Sequence, residues 1–164
     1  MMVLAIYPAI KLSCKAFMYP KSHCISVYLI CKGEYLLLRR KAEYLKGTWQ
    51  MVTGGINEGE KAYTAALREL EEETGVIPDS FYSGDAVETF YMKVIDKIAF
   101  VPVFVAFIKE KPLIKLTEHD AFLWLSFEEA HKKLLFAEQK RVITHIQEAF
   151  VLQQPSSFHL IYEK

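Results

Sequence analysis

The chain is poor in the features that mark several common protein classes. It has three cysteines, Cys14, Cys24 and Cys31, an odd number with no CxxC pair, which argues against a disulfide framework and a structural zinc site. It has no excess charge either. Twenty Lys and Arg balance twenty Asp and Glu, so no global field directs it to nucleic acid or to an anionic membrane. No stretch approaches the ~20 apolar residues that a membrane helix needs. Repeats, low-complexity tracts and linkers are missing, and 52% hydrophobic residues in 164 positions can fill one core. The expectation is one domain in a reducing, cytoplasmic compartment, with no nucleic-acid or membrane partner.

The opening MMVLAIYPAIKLSCKAFMYP is apolar enough to raise a signal peptide, but no basic segment precedes it and Pro8 and Lys11 interrupt it. Residues 1–21 are therefore expected to form an N-terminal arm or extra strand, packed on the domain or on the second subunit of a homodimer. Residues 22–152 are expected to form the domain, and 153–164 a C-terminal tail.

What charge there is lies concentrated. Residues 58–73 hold six glutamates against Lys61 and Arg68, in a run expected to be helical from about Lys61 to Thr74. Ala62, Ala65, Ala66 and Leu70 give that helix a small apolar face, and Gly75 is placed to end it in the left-handed conformation. At 3.6 residues per turn Glu69, Glu72 and Glu73 share one face. Like charges at this spacing weaken a helix by roughly 0.2–0.5 kcal/mol per pair, so a cation is the natural partner for all three. Oxygen-only donors suit Mg²⁺, with Mn²⁺ possible. Gly54-Gly55 ahead of the helix allows a sharp exit from a strand.

Around this segment the pattern is strands, helix, strands, helix. Residues 24–30 and 35–40 read as a hairpin about Lys32-Gly33, and residues 87–95 and 98–108 as a second about Asp96-Lys97. Pro102 places its strand at an edge or a bulge. Both faces of 98–108 are apolar, as in a strand buried on two sides. Ser126 with Glu129 forms a capping box, and Ala137 to Val151 continues helical through Val142, Ile146 and Phe150. The fold class is α+β, with a mixed sheet between helices in an α/β/α sandwich.

Gly54, five residues, Glu60, seven residues, then Arg68-Glu69-Leu70-Glu71-Glu72-Glu73-Thr74-Gly75-Val76 resembles the Nudix box at every position, and the surrounding elements extend the likeness over about residues 22–152. The resemblance implies a Nudix fold and hydrolysis of a diphosphate linkage. It implies that Glu69, Glu72 and Glu73 bind Mg²⁺ with a backbone carbonyl of the Gly54-Gly55 turn, for which Gly54 is the candidate. Arg68, four residues before Glu72, is expected to orient the carboxylates. Glu60 is expected in the internal network of the box, and Glu71 in solvent.

Two further stretches, Trp49-Gln50-Met51-Val52-Thr53-Gly54 and Thr117-Glu118-His119 followed by Trp124-Leu125, are similar to dihydroneopterin triphosphate pyrophosphatases and dATP pyrophosphohydrolases. Thr53 replaces the proline that many Nudix members carry before the glycine pair. This narrower likeness implies a nucleoside or pterin triphosphate substrate, and makes Glu118 a candidate additional metal ligand or base. Arg40 is a candidate for phosphate contact and Arg39 points to the opposite face. Trp49 and Gln50 are candidate substrate-binding residues. Tyr91 and Phe100 are further candidates for stacking on a ring, against core packing as the commoner role. His119 is expected to serve in hydrogen bonding rather than as a ligand. ADP-ribose, a nucleoside diphosphate sugar or a dinucleoside polyphosphate stays open as substrate, as does a non-catalytic binding module.

Overall fold

A computed structural model describes residues 21–164, so the expected arm lies almost wholly outside the described residues. Strands β1 (Cys24–Cys31) and β2 (Glu34–Arg40) form the first hairpin. Short strands β3 (Trp49–Gln50) and β4 (Val52–Gly55) lead into helix α1 (Ala62–Thr74). Strands β5 (Ser80–Met92), β6 (Lys97–Ile108) and β7 (His119–Leu125) follow, then helices α2 (Phe127–Lys133) and α3 (Ala137–Ile146), a π-helical turn over Gln147–Val151, and strand β8 (Leu160–Glu163). The sheet runs β3-β2-β1-β6-β5-β8, with β4 paired to β1 and β7 to β2. It is mixed because β1 lies parallel to β6, from Ser26 against Val103 to Cys31 against Ile108.

Strand β1 separates two cores through its period-2 alternation. Ile25, Val27 and Leu29 face one layer with Ala65, Ala66 and Leu70 of α1. Tyr28 and Ile30 face the other with Ala130 of α2 and Val142, Ile143 and Ile146 of α3. Burying each of these larger aliphatic side chains is worth about 1.5–3 kcal/mol. Helices cover both faces, giving the expected α/β/α arrangement.

The α1 boundary follows its signals: Gly75 sits at φ 74° and its N–H returns to the Glu71 carbonyl. The Ser126–Glu129 capping box opens α2. Two boundaries differ from expectation. β5 begins at Ser80 rather than near residue 87, because a register shift between Ser83 and Val87 interrupts it. At that shift Gly84 lies so close to β6 that an added Cβ would come 2.9 Å from Val103 Cγ1. Pro102 sits opposite Val87 at the end of this irregularity and one residue before β6 begins pairing with β1. Residues 153–164 are more than a tail, since Leu160–Glu163 adds an antiparallel strand to β5.

Candidate functional site

The turn before α1 and the last two turns of that helix are tied together by one guanidinium. Arg68 Nε and Nη2 each donate to Glu60 at 3.0 Å, Nη2 also donates to the Gly55 carbonyl at 2.8 Å, and Nη1 donates to Glu69 at 2.7 Å and Glu72 at 3.0 Å. Glu60 closes the loop by accepting the Asn57 N–H at 2.9 Å. These bonds hold Arg68 firmly protonated, through Glu60 first and Glu69 second, and pull Glu60 below its usual carboxylate range. The planar fork thus positions loop, helix and two carboxylates at once. Gly54 presses against the same cluster: a Cβ there would collide with Cγ, Cδ and Oε2 of Glu69.

Glu73, one turn beyond Glu69, is 4% exposed. Its Oε2 is buried and unpartnered among the described residues. Burial, then the neighbouring charges of Glu69 and Glu118, push its carboxyl up to about 8. It opens on a cavity of about 630 Å³ whose wall also includes Arg40 and Lys41 from the end of β2, Thr53 and Gly54 from β4, and Thr117, Glu118 and His119 entering β7. The β2–β7 pairing, which sets Arg40 opposite His119, brings these walls together. Thr117 Oγ1 donates to the Glu72 carbonyl at 3.2 Å, fixing the Glu118 loop to α1.

No three His, Cys, Asp or Glu side chains converge on one point among the described residues. Arg68 draws Glu69 and Glu72 toward itself, while Glu73 faces the cavity. The donor set nevertheless fits a hard divalent cation. All its side-chain donors are carboxylates, Glu73 has an orphaned buried oxygen, and Glu118 lines the same cavity. The Gly55 carbonyl is engaged by Arg68.

Other expected site residues are placed differently. Trp49 does not line the cavity; Lys133 Nζ and the Arg39 guanidinium lie 5.1 and 5.9 Å from its ring centre, so cations occupy the stacking positions. Gln50 is also outside the lining, buried with its amide nitrogen 3.0 Å from Thr53 Oγ1. Tyr91 and Phe100 lie on the β5–β6 hairpin away from the cavity, Tyr91 being 66% exposed. Phe100 instead lines an apolar groove with Met92 and Ile98. Arg39 pairs with Asp120 at 2.7 Å. Arg40 does reach the cavity, with Nε on the Tyr44 carbonyl at 2.8 Å. Lys41 also lines the cavity, and nothing in its sequence context signals the β2–β7 juxtaposition that brings it there. His119 is 6% exposed, and its pKa is lowered by burial and then by Arg40. The described cysteines, Cys24 and Cys31, are free, and no described helix is long and apolar enough to cross a membrane.

Comparison with known proteins bears on the family and the fold. The NUDIX domain model matches residues 22–146. An RNA pyrophosphohydrolase of Novosphingobium aromaticivorans is 43% identical over 58 residues, 35% of this chain and 36% of that protein. Nudix hydrolase 7 of Arabidopsis thaliana is 44% identical over 48 residues, 28% of this chain and 17% of that protein. The chain thus spans about a third of the length of the first curated relatives it matches. The E. coli dihydroneopterin triphosphate pyrophosphohydrolase superposes with a TM-score of 0.67 at 22% identity, covering 83% of this chain and 99% of that one. A C. elegans Ap4A hydrolase does so at 0.67 and 22%, covering 78% and 96%. Identities this low speak to fold alone, whereas the domain match covers most of the sequence: the chain belongs to the Nudix family.

Proposed function

We propose that the protein is a Mg²⁺-dependent pyrophosphohydrolase that cleaves a nucleoside or pterin triphosphate, of the dATP or dihydroneopterin triphosphate type, to the monophosphate and pyrophosphate. The observation that carries this reading is the cavity itself, which brings together Glu73, with its unpartnered Oε2, Glu118, and the Arg40 and Lys41 cations. Carboxylates and cations lining one cavity suit a phosphate chain that is held by arginine and lysine and reacts beside carboxylates.

Glu69, Glu72 and Glu73, with Glu118 and the Gly54 carbonyl, would hold Mg²⁺, or Mn²⁺ in its place. When bound, the ion would neutralise phosphate oxygens and favour in-line displacement at phosphorus. The chain's own groups do the rest. Arg40 and Lys41 bind phosphate oxygens. Arg68 fixes the positions of Glu69 and Glu72 through its hydrogen bonds to both. Glu118, on the loop facing α1, serves as additional ligand or as acceptor of the attacking water's proton. Free thiols at Cys24 and Cys31 fit a reducing, cytoplasmic setting.

Similarity to proteins named RNA pyrophosphohydrolase supports a second reading, in which the triphosphate is carried by RNA. The test is a substrate panel with Mg²⁺: dATP, dihydroneopterin triphosphate, 5′-triphosphorylated RNA, ADP-ribose and a dinucleoside polyphosphate. Turnover of dATP or dihydroneopterin triphosphate with pyrophosphate release is expected. Turnover confined to the last two substrates would replace the reading, and no turnover of any would favour a binding module.

A further inference from the structure

The turn end of the β5–β6 hairpin carries an apolar surface that the cavity does not use. Met92, Ile95, Ile98 and Phe100 are exposed there and, with Cys24 at the start of β1, line a groove of about 360 Å³. None of the unpartnered buried polar atoms among the described residues belongs to this lining, so the groove offers carbon rather than convergent donors and acceptors. An exposed apolar patch of this kind marks a contact surface. Among the described residues, β6 pairs with β1 only from Val103 onward, and its Lys97–Val101 stretch pairs with β5 alone. The rest of the wall comes from the chain leading into β1, where Lys21 and His23 line the groove and Ser22 between them does not.

Chain direction and sequence define the occupant. β1 lies parallel to β6, so the chain before β1 comes from the side of the β5–β6 turn. Residues 1–20 join the described chain at Lys21, itself on the groove wall, and Ala16-Phe17-Met18-Tyr19-Pro20 just before it carry no charge. Pro20 fixes its own φ near −65° and biases Tyr19 toward extended backbone. Side chains of an extended segment alternate. The odd positions that Lys21 and His23 present to the groove therefore continue through Tyr19 and Phe17, while Met18 turns away. We propose that the groove is the docking site of the chain's own N-terminal segment, with Phe17 and Tyr19 seated against Met92, Ile95, Ile98 and Phe100. Attachment at Lys21 gives the two rings an effective concentration on the order of millimolar, which favours them over a separate partner. Docking removes apolar surface on both sides from water and braces the hairpin against the start of β1. The contact is independent of the triphosphate reading, because the groove and the cavity share no lining residue.

Cys24, on the groove wall, supplies the test. The full chain is prepared as wild type, F17D/Y19D and M18D, with thermal melts to show that each is folded. Alkylation of each cysteine by iodoacetamide is followed by peptide mass spectrometry. Cys24 is expected to react faster by about tenfold or more in F17D/Y19D than in wild type, with M18D within about threefold of wild type. Equal rates in all three chains, or M18D reacting as fast as F17D/Y19D, overturn the inference. Benzoylphenylalanine in place of Phe17 gives a second measurement that keeps an apolar ring at the position. On illumination it should link to residues 91–100, in a product that keeps the mass of one chain on a denaturing gel. Links to other stretches, or no link, overturn the inference. A product of doubled mass shows that a second copy supplies the segment and overturns it as well.

Discussion

Replacing Gly54 by alanine tests the close approach of β4 to the helix. Neither Gly54 nor Gly55 has a positive φ, so alanine strains neither backbone position, and the outcome depends on space alone. At Gly54 the new methyl occupies the room now filled by Cγ, Cδ and Oε2 of Glu69, while at Gly55 it meets nothing within 4 Å. The Gly54 clash is with a flexible side chain, so the fold survives and Glu69 swings away. The swing breaks the 2.7 Å Arg68–Glu69 pair, whose side chains are 27% and 15% exposed. Such a pair is worth about 1 kcal/mol at most, and an unfavourable rotamer adds about 0.5–1.5 kcal/mol. The expected loss is about 1–2 kcal/mol, or a fall in melting temperature of about 3–6 °C. Activity suffers more, because a carboxylate displaced by an ångström or more costs on the order of 10²-fold in kcat/KM. G55A should stay within about 0.5 kcal/mol of wild type and keep its activity. Steady-state kinetics with Mg²⁺ and thermal melts of both variants decide the matter. Wild-type activity in G54A, or an equal loss in G55A, would refute the reasoning.

Three other outcomes follow from the same geometry. Arg68→Lys should lose activity nearly as fully as Arg68→Ala, since an ammonium cannot reproduce the fork that bonds Glu60, Glu69, Glu72 and the Gly55 carbonyl; recovery by lysine in kinetic assays would show that charge alone suffices. Glu73, pushed up to about 8, holds a proton at pH 7 that a divalent cation must displace. Calorimetry of Mg²⁺ binding in buffers of different ionisation heats should therefore register proton release, with affinity rising as pH approaches 8, and pH-independent binding would contradict this. Glu88 is 2% exposed, accepts from Tyr28 at 2.9 Å, and is pushed up to about 7 by burial. The folded state thus keeps a proton that the unfolded chain releases near 4.5. Its contribution is fully present below that pH and is lost as pH rises through about 7, on the order of 3 kcal/mol in all. In denaturant titrations from pH 4.5 to 8.5, wild type should lose stability relative to E88Q by that amount, and a constant difference would reject the assignment.

Features set by local chemistry could be read from the sequence. The α1 helix, its Gly75 stop and the shared face of Glu69, Glu72 and Glu73 depend on helical period and capping, which act within a few residues. The Ser126–Glu129 capping box is of the same kind. Features made by distant pairing could not be read. Lys41 and His119 line one cavity only because β2 and β7 pair, and LIYE becomes β8 only by adding to the edge of β5. Even within the box, spacing shows Arg68 reaching Glu72 but not the Gly55 carbonyl, since the path of the loop decides that contact. Trp49 shows a different dependence on distant elements. Its flat ring suggests a stacked ligand, and only the fold shows that Lys133 of α2 and Arg39 of β2 lie over that ring.

The most direct test of the central claim is ³¹P NMR of dATP and of dihydroneopterin triphosphate incubated with Mg²⁺ and the wild-type protein or E72Q, a change at a half-exposed position that should leave the fold intact. Pyrophosphate and the monophosphate should appear with wild type, require Mg²⁺, and be abolished in a folded E72Q. Release of orthophosphate, turnover without Mg²⁺, or undiminished turnover by E72Q would contradict the account.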